Sequence, residues 1–167
     1  MRQMRLGKRE IKDPEDLRKI LEACDVVRIG AVDEEGMFIV PVNFGYEFEV
    51  CEGKEPQLRL YFHGAQKGRK AEAFAKKTEV AIEMDCAHQL ITGDYTCSYS
   101  YAYQSIMGTG HVRVLSEKAE KIHGLSRVME HLAPEAEIAF SEEMLARTGV
   151  FCIEVTSFTG KMREAKK

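Results

Sequence analysis

The segment of this chain best suited to chemistry is YFHGAQKGRK, at positions 61–70. An apolar strand pattern ends in a turn interrupted by glycine, and a helical pattern then begins with three cations in four residues. Positive charges at a helix start oppose the helix dipole, so this arrangement is unfavourable unless an anion binds there. Glycine also lets a phosphate approach the backbone closely. The segment therefore predicts a phosphate site made by Gly64, Lys67, Gly68, Arg69 and Lys70. A solvated basic helix start without a ligand is the alternative.

His63 lies at the predicted end of the strand, directly before Gly64. An imidazole can transfer a proton near neutral pH, which makes His63 the candidate for acid–base chemistry beside the phosphate site. The alternative is a histidine that only hydrogen-bonds the backbone or a ligand.

The other cysteines and histidines predict neither a metal site nor a disulfide framework. Cys86 and His88 share one strand face, but two ligands are half of a tetrahedral site and no second pair has suitable spacing. The chain has five cysteines and no C-x-x-C pair, which is typical of reduced thiols.

Composition excludes several classes of protein. The 167 residues carry a net charge of −3, with 44% hydrophobic and 31% charged residues, as expected for one globular domain. A nucleic-acid partner is disfavoured because such proteins carry a basic face. No apolar run is long enough to span a bilayer and the N-terminus lacks a secretory pattern, so we expect a cytoplasmic protein without a membrane partner.

Periodicity predicts a mainly β protein with flanking helices. Asp13-Pro14 is a helix start, and further helices are expected from Lys67, from Ser116 to Leu132 and around Glu142. The alternation of short strands and few helices indicates a closed or partly closed antiparallel barrel. One domain over 1–167 is expected, with 160–167 as a frayed tail. The predicted strands are 26–32, 37–46, 58–63, 79–90, 101–115 and 150–155.

Pro41 lies inside the second predicted strand. Because proline cannot donate a ladder hydrogen bond, it predicts an edge strand, a bulge or a backbone position that faces a ligand.

The order and spacing of five segments resemble the pyridoxamine 5′-phosphate oxidase-like flavoproteins, and within them the nitroimidazole-resistance branch. No single segment is specific, but together they span nearly the whole chain. The resemblance implies an antiparallel split β-barrel. The segments are Arg28 to Gly36, Val40 to Tyr46, Tyr61 to Lys70, Tyr103 to Gly110 and Thr159 to Lys161.

The resemblance implies a homodimer that holds FMN, or FAD, in grooves between the subunits. The cations at 67, 69 and 70 would bind the phosphate, and the fork of Arg69 suits two phosphate oxygens. One wall of the groove would consist of Pro41, Val42 and Asn43, although a strand-end hydrogen bond is the alternative role for Asn43. Beside this wall would lie Phe62, His63, Gly64 and Ala65, and the partner chain would supply Tyr103, Gln104 and Ser105.

Two classes of function follow from the resemblance. The first is a flavin-dependent oxidoreductase that reduces a small organic acceptor, with a nitroaromatic compound as the candidate and NAD(P)H as a candidate donor. The second is a split-barrel protein that binds flavin or haem without reductase activity. Tyr95, Tyr99, Tyr101 and Tyr103 share one strand face, which would cover either a flavin or a subunit interface.

Overall fold

The computed structural model describes residues 4–76 and 79–165. Helix α1 spans Pro14–Ala23, as the sequence predicts, because Asp13 caps it and Pro14 occupies its first turn. The Asp13 carboxylate accepts a hydrogen bond from the backbone N–H of Glu15 at 2.9 Å. The apolar side of α1 is buried in the main core.

The described residues form one sheet of eight strands. Its order is β3-β2-β6-β7-β8-β5-β4, with the short β1 added beside β8, and every pairing is antiparallel. The two ends of the sheet, β3 and β4, do not pair with each other in the described part of the chain. The predicted antiparallel split barrel is confirmed. The strands are β1 (Glu10–Ile11), β2 (Val26–Asp33), β3 (Gly36–Asn43), β4 (Gly45–Glu49), β5 (Gln57–Ala65), β6 (Glu79–Ile91), β7 (Ser100–Val114) and β8 (Thr148–Arg163).

In the described part of the chain, three further α-helices flank the sheet: α2 (Arg69–Ala75), α3 (Lys118–Leu132) and α4 (Glu142–Arg147). Helix α2 begins at Arg69 instead of Lys67, because Gly68 has φ 98° and cannot continue a helix. No helix among the described residues is long and apolar enough to cross a membrane.

Two predicted strand boundaries were wrong. The single strand expected over 37–46 breaks at Phe44, whose side chain is fully buried, and becomes β3 and β4. The expected frayed tail from 160 was wrong as far as Arg163, since β8 continues to that residue. Pairing with β1 and β7 satisfies the backbone there, and Gly160 packs under Leu17 of α1. Residues 166 and 167 lie outside the described residues.

Three phenylalanines fix α2 against the sheet. The rings of Phe62 on β5 and Phe151 on β8 are stacked, with centroids 5.0 Å apart. Phe74 of α2 packs edge-on against both rings at 5.9 Å. The position of α2 relative to the end of β5 is therefore set by aromatic packing in the core.

Two histidines hold α3 on the other face of the sheet. His123 Nε2 lies 2.7 Å from a carboxylate oxygen of Glu47, and His131 Nδ1 lies 2.7 Å from the carbonyl oxygen of Phe44. Because both partners are acceptors, each of these ring nitrogens carries a proton and donates. Helix α3 is thereby fastened to β4 and to the break between β3 and β4.

Candidate cofactor site at the split of the barrel

The end of β5 has one open edge. Strand β8 pairs with β5 as far as Ala65, whereas β4 pairs with it only as far as Tyr61. On the β4 side, the backbone of residues 62–65 therefore has no strand partner among the described residues. Strand β3 approaches β5 without pairing to it. This open edge, residues 62–65 of β5 facing β3, is called the split below.

Lys70 of α2 reaches back over the split. Its Nζ lies 6.0 Å from the centroid of the Phe62 ring, and a Cβ added at Gly64 would lie 2.6 Å from the same Nζ. Glycine at 64 therefore makes room for the ammonium group, and a larger residue would displace it.

The Lys70 ammonium is half-buried without an opposing charge among the described residues. Burial lowers the pKa of Lys70, and no neighbouring carboxylate raises it. A desolvated cation without a counterion destabilises the folded chain, and an anion bound beside it would remove that penalty. Lys70 is thus the side chain of the basic segment that is best placed to hold a phosphate.

Arg69 points away from Lys70 and binds a carboxylate of the same chain. Its Nε lies 2.7 Å from Asp33 Oδ2, and its Nη2 lies 2.8 Å from Asp33 Oδ1 and 3.1 Å from the Gly36 carbonyl oxygen. The guanidinium also stacks over Phe38, 4.7 Å from the ring centroid. The Arg69 guanidinium, which was expected to bind phosphate oxygens, instead links α2 to the β2–β3 turn.

Sequence reasoning missed Asp33 as a residue of this region. It lies 36 positions from Arg69, in an acidic turn whose composition indicates only a turn. The spacing of the two residues along the chain could not reveal this contact, because the contact depends on the packing of Phe74, which positions α2 beside β3.

Replacing Arg69 with alanine should lower thermal stability, and the effect should depend on pH. The hydrogen bond from Arg69 is the main cause that lowers the pKa of Asp33 below its ordinary value of 3.8. The stabilisation is therefore present above pH 3.8 and disappears as the pH falls through the lower pKa of the folded state. Melting curves of wild type and Arg69→Ala should differ by about 1–4 °C at pH 7 and converge as the pH falls through the lowered pKa of Asp33. A difference that persists at the acid end would show that the guanidinium acts through packing on Phe38 instead.

The remaining residues of the basic segment are exposed. Lys67 and Gly68 form the turn before α2, and Ala65 ends β5. His63 is also exposed, and strand alternation places its side chain on the face of β5 opposite to Gly64 and Lys70. A ligand can therefore meet both His63 and Lys70 only if it lies along the open edge of β5.

The facing wall of the split comes from the end of β3. Strand β3 is an edge strand, which confirms the edge position predicted from Pro41. Pro41 pairs with Arg28 of β2, the single strand beside β3. Val42 is half-buried against the core. The amide nitrogen of Asn43 donates to the backbone oxygen of Asp25 at 2.9 Å, which is the structural role left open by the sequence. Its side-chain oxygen faces no donor among the described residues.

Residues 13–162 match a family model described as pyridoxamine 5′-phosphate oxidase. This chain belongs to that family. Members of the pyridoxamine 5′-phosphate oxidase family are named for a reaction, but the match by itself assigns this chain a fold and an ancestry. No curated protein matches the chain.

Solved structures with the same fold include proteins that bind flavin and haem. A protein of Bacteroides thetaiotaomicron described as a candidate 5-nitroimidazole antibiotic resistance protein is 29% identical, with a TM-score of 0.76 over 92% of this chain and 86% of that one. An FAD- and haem-binding protein of Mycobacterium smegmatis is 18% identical, with a TM-score of 0.79 over 94% and 74% of the two chains. A flavocytochrome of Azotobacter vinelandii is 20% identical, with a TM-score of 0.77 over 98% and 73%.

In this member of the pyridoxamine 5′-phosphate oxidase family, residues 103–105 lie far from the split of their own chain. Ser105 pairs with Lys161 near one end of β8, whereas His63 pairs with Val150 near the other end. Those partners are eleven positions apart on β8, or about 36 Å along a strand at about 3.3 Å per residue. One ligand at the split can therefore touch Tyr103, Gln104 or Ser105 only if they belong to a second copy of the chain.

Proposed function

We propose that this chain binds FMN at the split, with Lys70 as the main ligand of the phosphate. The half-buried Lys70 ammonium, seated over Gly64 without a counterion, is the observation that carries the proposal. Lys67 adds a solvent-exposed charge in the preceding turn, and Arg69 orients α2 through Asp33. FAD is the alternative cofactor, since it offers the same flavin with a pyrophosphate in place of the monophosphate.

The residues that line the split fit the rest of a flavin. Pro41 and Val42 present an apolar strand edge, and the Asn43 side-chain oxygen can accept a hydrogen bond from a ring N–H. The open backbone edge at 62–65 can supply further hydrogen bonds. When bound, a flavin supplies hydride and electron transfer.

We further propose that the protein is an oxidoreductase that reduces a small organic acceptor, with NAD(P)H as the candidate donor. A nitroaromatic acceptor is favoured because a chain that is 29% identical over most of this sequence is described as a candidate nitroimidazole resistance protein. The protein's own contribution would be to hold the acceptor near the split and to deliver a proton.

His63 is the proposed proton donor. Its ring is exposed at the open edge and is not engaged in a hydrogen bond with the described residues, so it is free to meet an acceptor. His63→Ala should keep the bound flavin but slow reduction of the acceptor by roughly 10²-fold, as for loss of a general acid. His63→Gln, which can hydrogen-bond but cannot transfer a proton at neutral pH, should be equally slow. Unchanged turnover in both variants would return His63 to a structural role.

A homodimer completes the proposed site. The outer face of β3, β2, β6 and β7 carries apolar side chains that one chain leaves uncovered: Met37 is 87% exposed, Ile39 70% and Met107 58%. Strand register places them on the same face, since Ile39 pairs with Gly30, Gly30 with Ala81 and Ala81 with Thr109, two residues from Met107. We propose that a second copy covers this face and that its residues 103–105 contact the ligand at the split.

An absorption spectrum of the purified protein tests the proposal directly. FMN or FAD at the split gives the two flavin bands in the blue and near ultraviolet, and release by acid followed by chromatography distinguishes the two flavins. A strong Soret band would instead favour the haem-binding alternative, for which two solved structures of the same fold provide precedent. A colourless protein that takes up no added flavin would overturn the proposed function.

A further inference from the structure

The connected ends of β6 and β7 form a two-stranded arm, residues 87–102, that projects beyond the rest of the sheet. Strand β2 pairs with β6 only as far as Glu83, and β8 pairs with β7 only as far as Tyr103. Within the described part of the chain, the strands of the arm therefore pair only with each other. Because an isolated pair of strands is only marginally stable in water, a second surface that covers the arm would stabilise it.

The arm carries large apolar side chains that its own chain leaves uncovered. Four of them are more than half exposed: Leu90, Tyr95, Tyr99 and Tyr101. Tyr101 pairs with Leu90, so their side chains lie on the same face of the arm. A cluster of exposed apolar side chains of this kind indicates an interaction surface.

The exposed face of the arm is continuous with the proposed dimer face. Strand β7 is regular over positions 100–107, because the extra residues of the bulge lie on β6. Since side chains alternate along a regular strand, Tyr101 and Tyr103 point to the same side as Met107. Met107 belongs to the apolar face that a second copy is proposed to cover. The same second copy would therefore meet the arm.

Contacts within its own chain hold Tyr101 in place. The ring centroids of Tyr101 and His88 are 5.8 Å apart. His88 Nε2 lies 2.7 Å from Asp85 Oδ2, and the other carboxylate oxygen of Asp85 accepts a hydrogen bond from Arg28 at 2.7 Å. A ring that is already positioned loses little conformational freedom when a ligand stacks on it, so Tyr101 suits a binding surface.

We propose that the arm of each subunit covers the split of its partner, and that Tyr101 forms a wall on which a flat aromatic acceptor stacks. This inference rests on the proposed flavin site and on the proposed dimer. If residues 103–105 contact a ligand in the partner's split, Tyr101 lies about 7 Å beyond Tyr103 along the same strand and extends over the opening. A phenol ring provides an apolar face for stacking, and its hydroxyl can donate a hydrogen bond to a nitro oxygen.

Photo-cross-linking from position 101 tests the location of the arm without any cofactor. The variant Tyr101→p-benzoylphenylalanine keeps an aromatic side chain, and the flavin-free protein is irradiated. We expect a covalent product of twice the chain mass on a denaturing gel, with the link mapped to the segment 61–70 or 37–43 of the other chain. The same replacement at Met144, on α4 away from the proposed interface, should leave the chain mass unchanged.

The cross-linking result separates this inference from the proposed function, because it does not depend on flavin. A protein that binds no flavin but forms the link would refute only the proposed function. A link that stays within one chain, or one that joins the two arms to each other, would overturn the proposed position of the arm.

A half-reaction measurement tests the role of Tyr101 toward the acceptor. Protein loaded with FMN and reduced with dithionite is mixed with nitrobenzene over a range of concentrations. Tyr101→Ala should keep FMN but raise the half-saturating nitrobenzene concentration by roughly 10-fold, with little change in the limiting rate. Tyr101→Phe, which keeps the ring, should behave like wild type. Ferricyanide, which offers no ring for stacking, should oxidise all three proteins alike. An unchanged half-saturating concentration in Tyr101→Ala would overturn the stacking role.

Mixed dimers test whether Tyr101 acts across the interface. Chains that carry Lys70→Met and chains that carry Tyr101→Ala are produced together with different affinity tags, and the mixed dimer is isolated. If each site combines Lys70 of one chain with Tyr101 of the other, one of the two sites is intact and should bind both FMN and nitrobenzene with wild-type affinity. A mixed dimer without an intact site would show that both residues act within one chain and would overturn the proposal.

Discussion

Replacing Lys70 with methionine should weaken flavin binding by about 10- to 150-fold. This range corresponds to the loss of one charge-assisted hydrogen bond, about 1.5–3 kcal/mol. Methionine keeps the length and apolar packing of the lysine stem beside Phe62, so the change isolates the charge. Titration of each flavin-free variant with FMN, followed by quenching of flavin fluorescence, measures the effect.

The same substitution should leave the flavin-free protein as stable as wild type or more stable. The folded state holds the Lys70 ammonium half-buried without a counterion, and methionine removes that penalty. Loss of affinity combined with a melting temperature that is unchanged or higher is the signature of a ligand site, because a structural lysine would lose stability as well. Lys76→Met is the matched control: Lys76 follows the same helix but is exposed and paired with Glu34, so its removal should change FMN affinity by less than about threefold.

A pH series sharpens the Lys70 test. Burial lowers the pKa of Lys70 below its ordinary value of 10.5, and only the protonated form attracts phosphate. The FMN affinity of wild type should therefore be constant near neutral pH and fall as the pH rises through the lowered pKa of Lys70. The FMN affinity of the Lys70→Met variant should not change over this range, so the two affinity curves should meet at high pH. Equal affinities for FMN at neutral pH would place the phosphate elsewhere.

Replacing Ile39 with glutamate should convert the protein to monomers and abolish tight flavin binding together. Ile39 is 70% exposed on the proposed dimer face, and two-fold symmetry would bury the new charge once on each side of the interface. At roughly 2–5 kcal/mol for each buried unpaired charge, dimer dissociation should become at least about 10³-fold more favourable. Light scattering would show the mass fall from twice the 18.9 kDa chain mass to that of one chain.

The matched control for Ile39 is Met144→Glu. Met144 is 61% exposed on α4, which packs against α3 away from the proposed interface, so this variant should remain dimeric and bind flavin. A wild-type protein that is monomeric with flavin bound would refute a site shared between two chains, but it would not affect the proposal that Lys70 binds the phosphate. An Ile39→Glu variant that dissociates but binds FMN with full affinity would show that residues 103–105 of a partner make no contact with the cofactor.

The sequence was sufficient for most of the local structure. The Asp13-Pro14 signal predicted the start of α1, and strand periodicity predicted six segments that contain seven of the eight strands described, with β3 and β4 joined as one. It failed at Phe44, where a buried aromatic side chain turns the chain, and at β8, whose length depends on strands that pair along both of its sides. Strand ends of this kind are decided by partners distant in sequence, which no local pattern records.

The composition and order of the basic segment also determined that an anion site was to be expected near 61–70, and family membership followed from the order of segments across the chain. Only the tertiary structure shows which of these cations faces the split. Lys70 and Arg69 are neighbours in sequence, but successive residues of a helix point about 100° apart, so one faces β5 and the other faces the β2–β3 turn. Tertiary packing likewise put residues 103–105 at the far end of β8. Each of these contacts depends on how elements dock in the core, and docking is set by the shapes of buried side chains instead of by spacing along the chain.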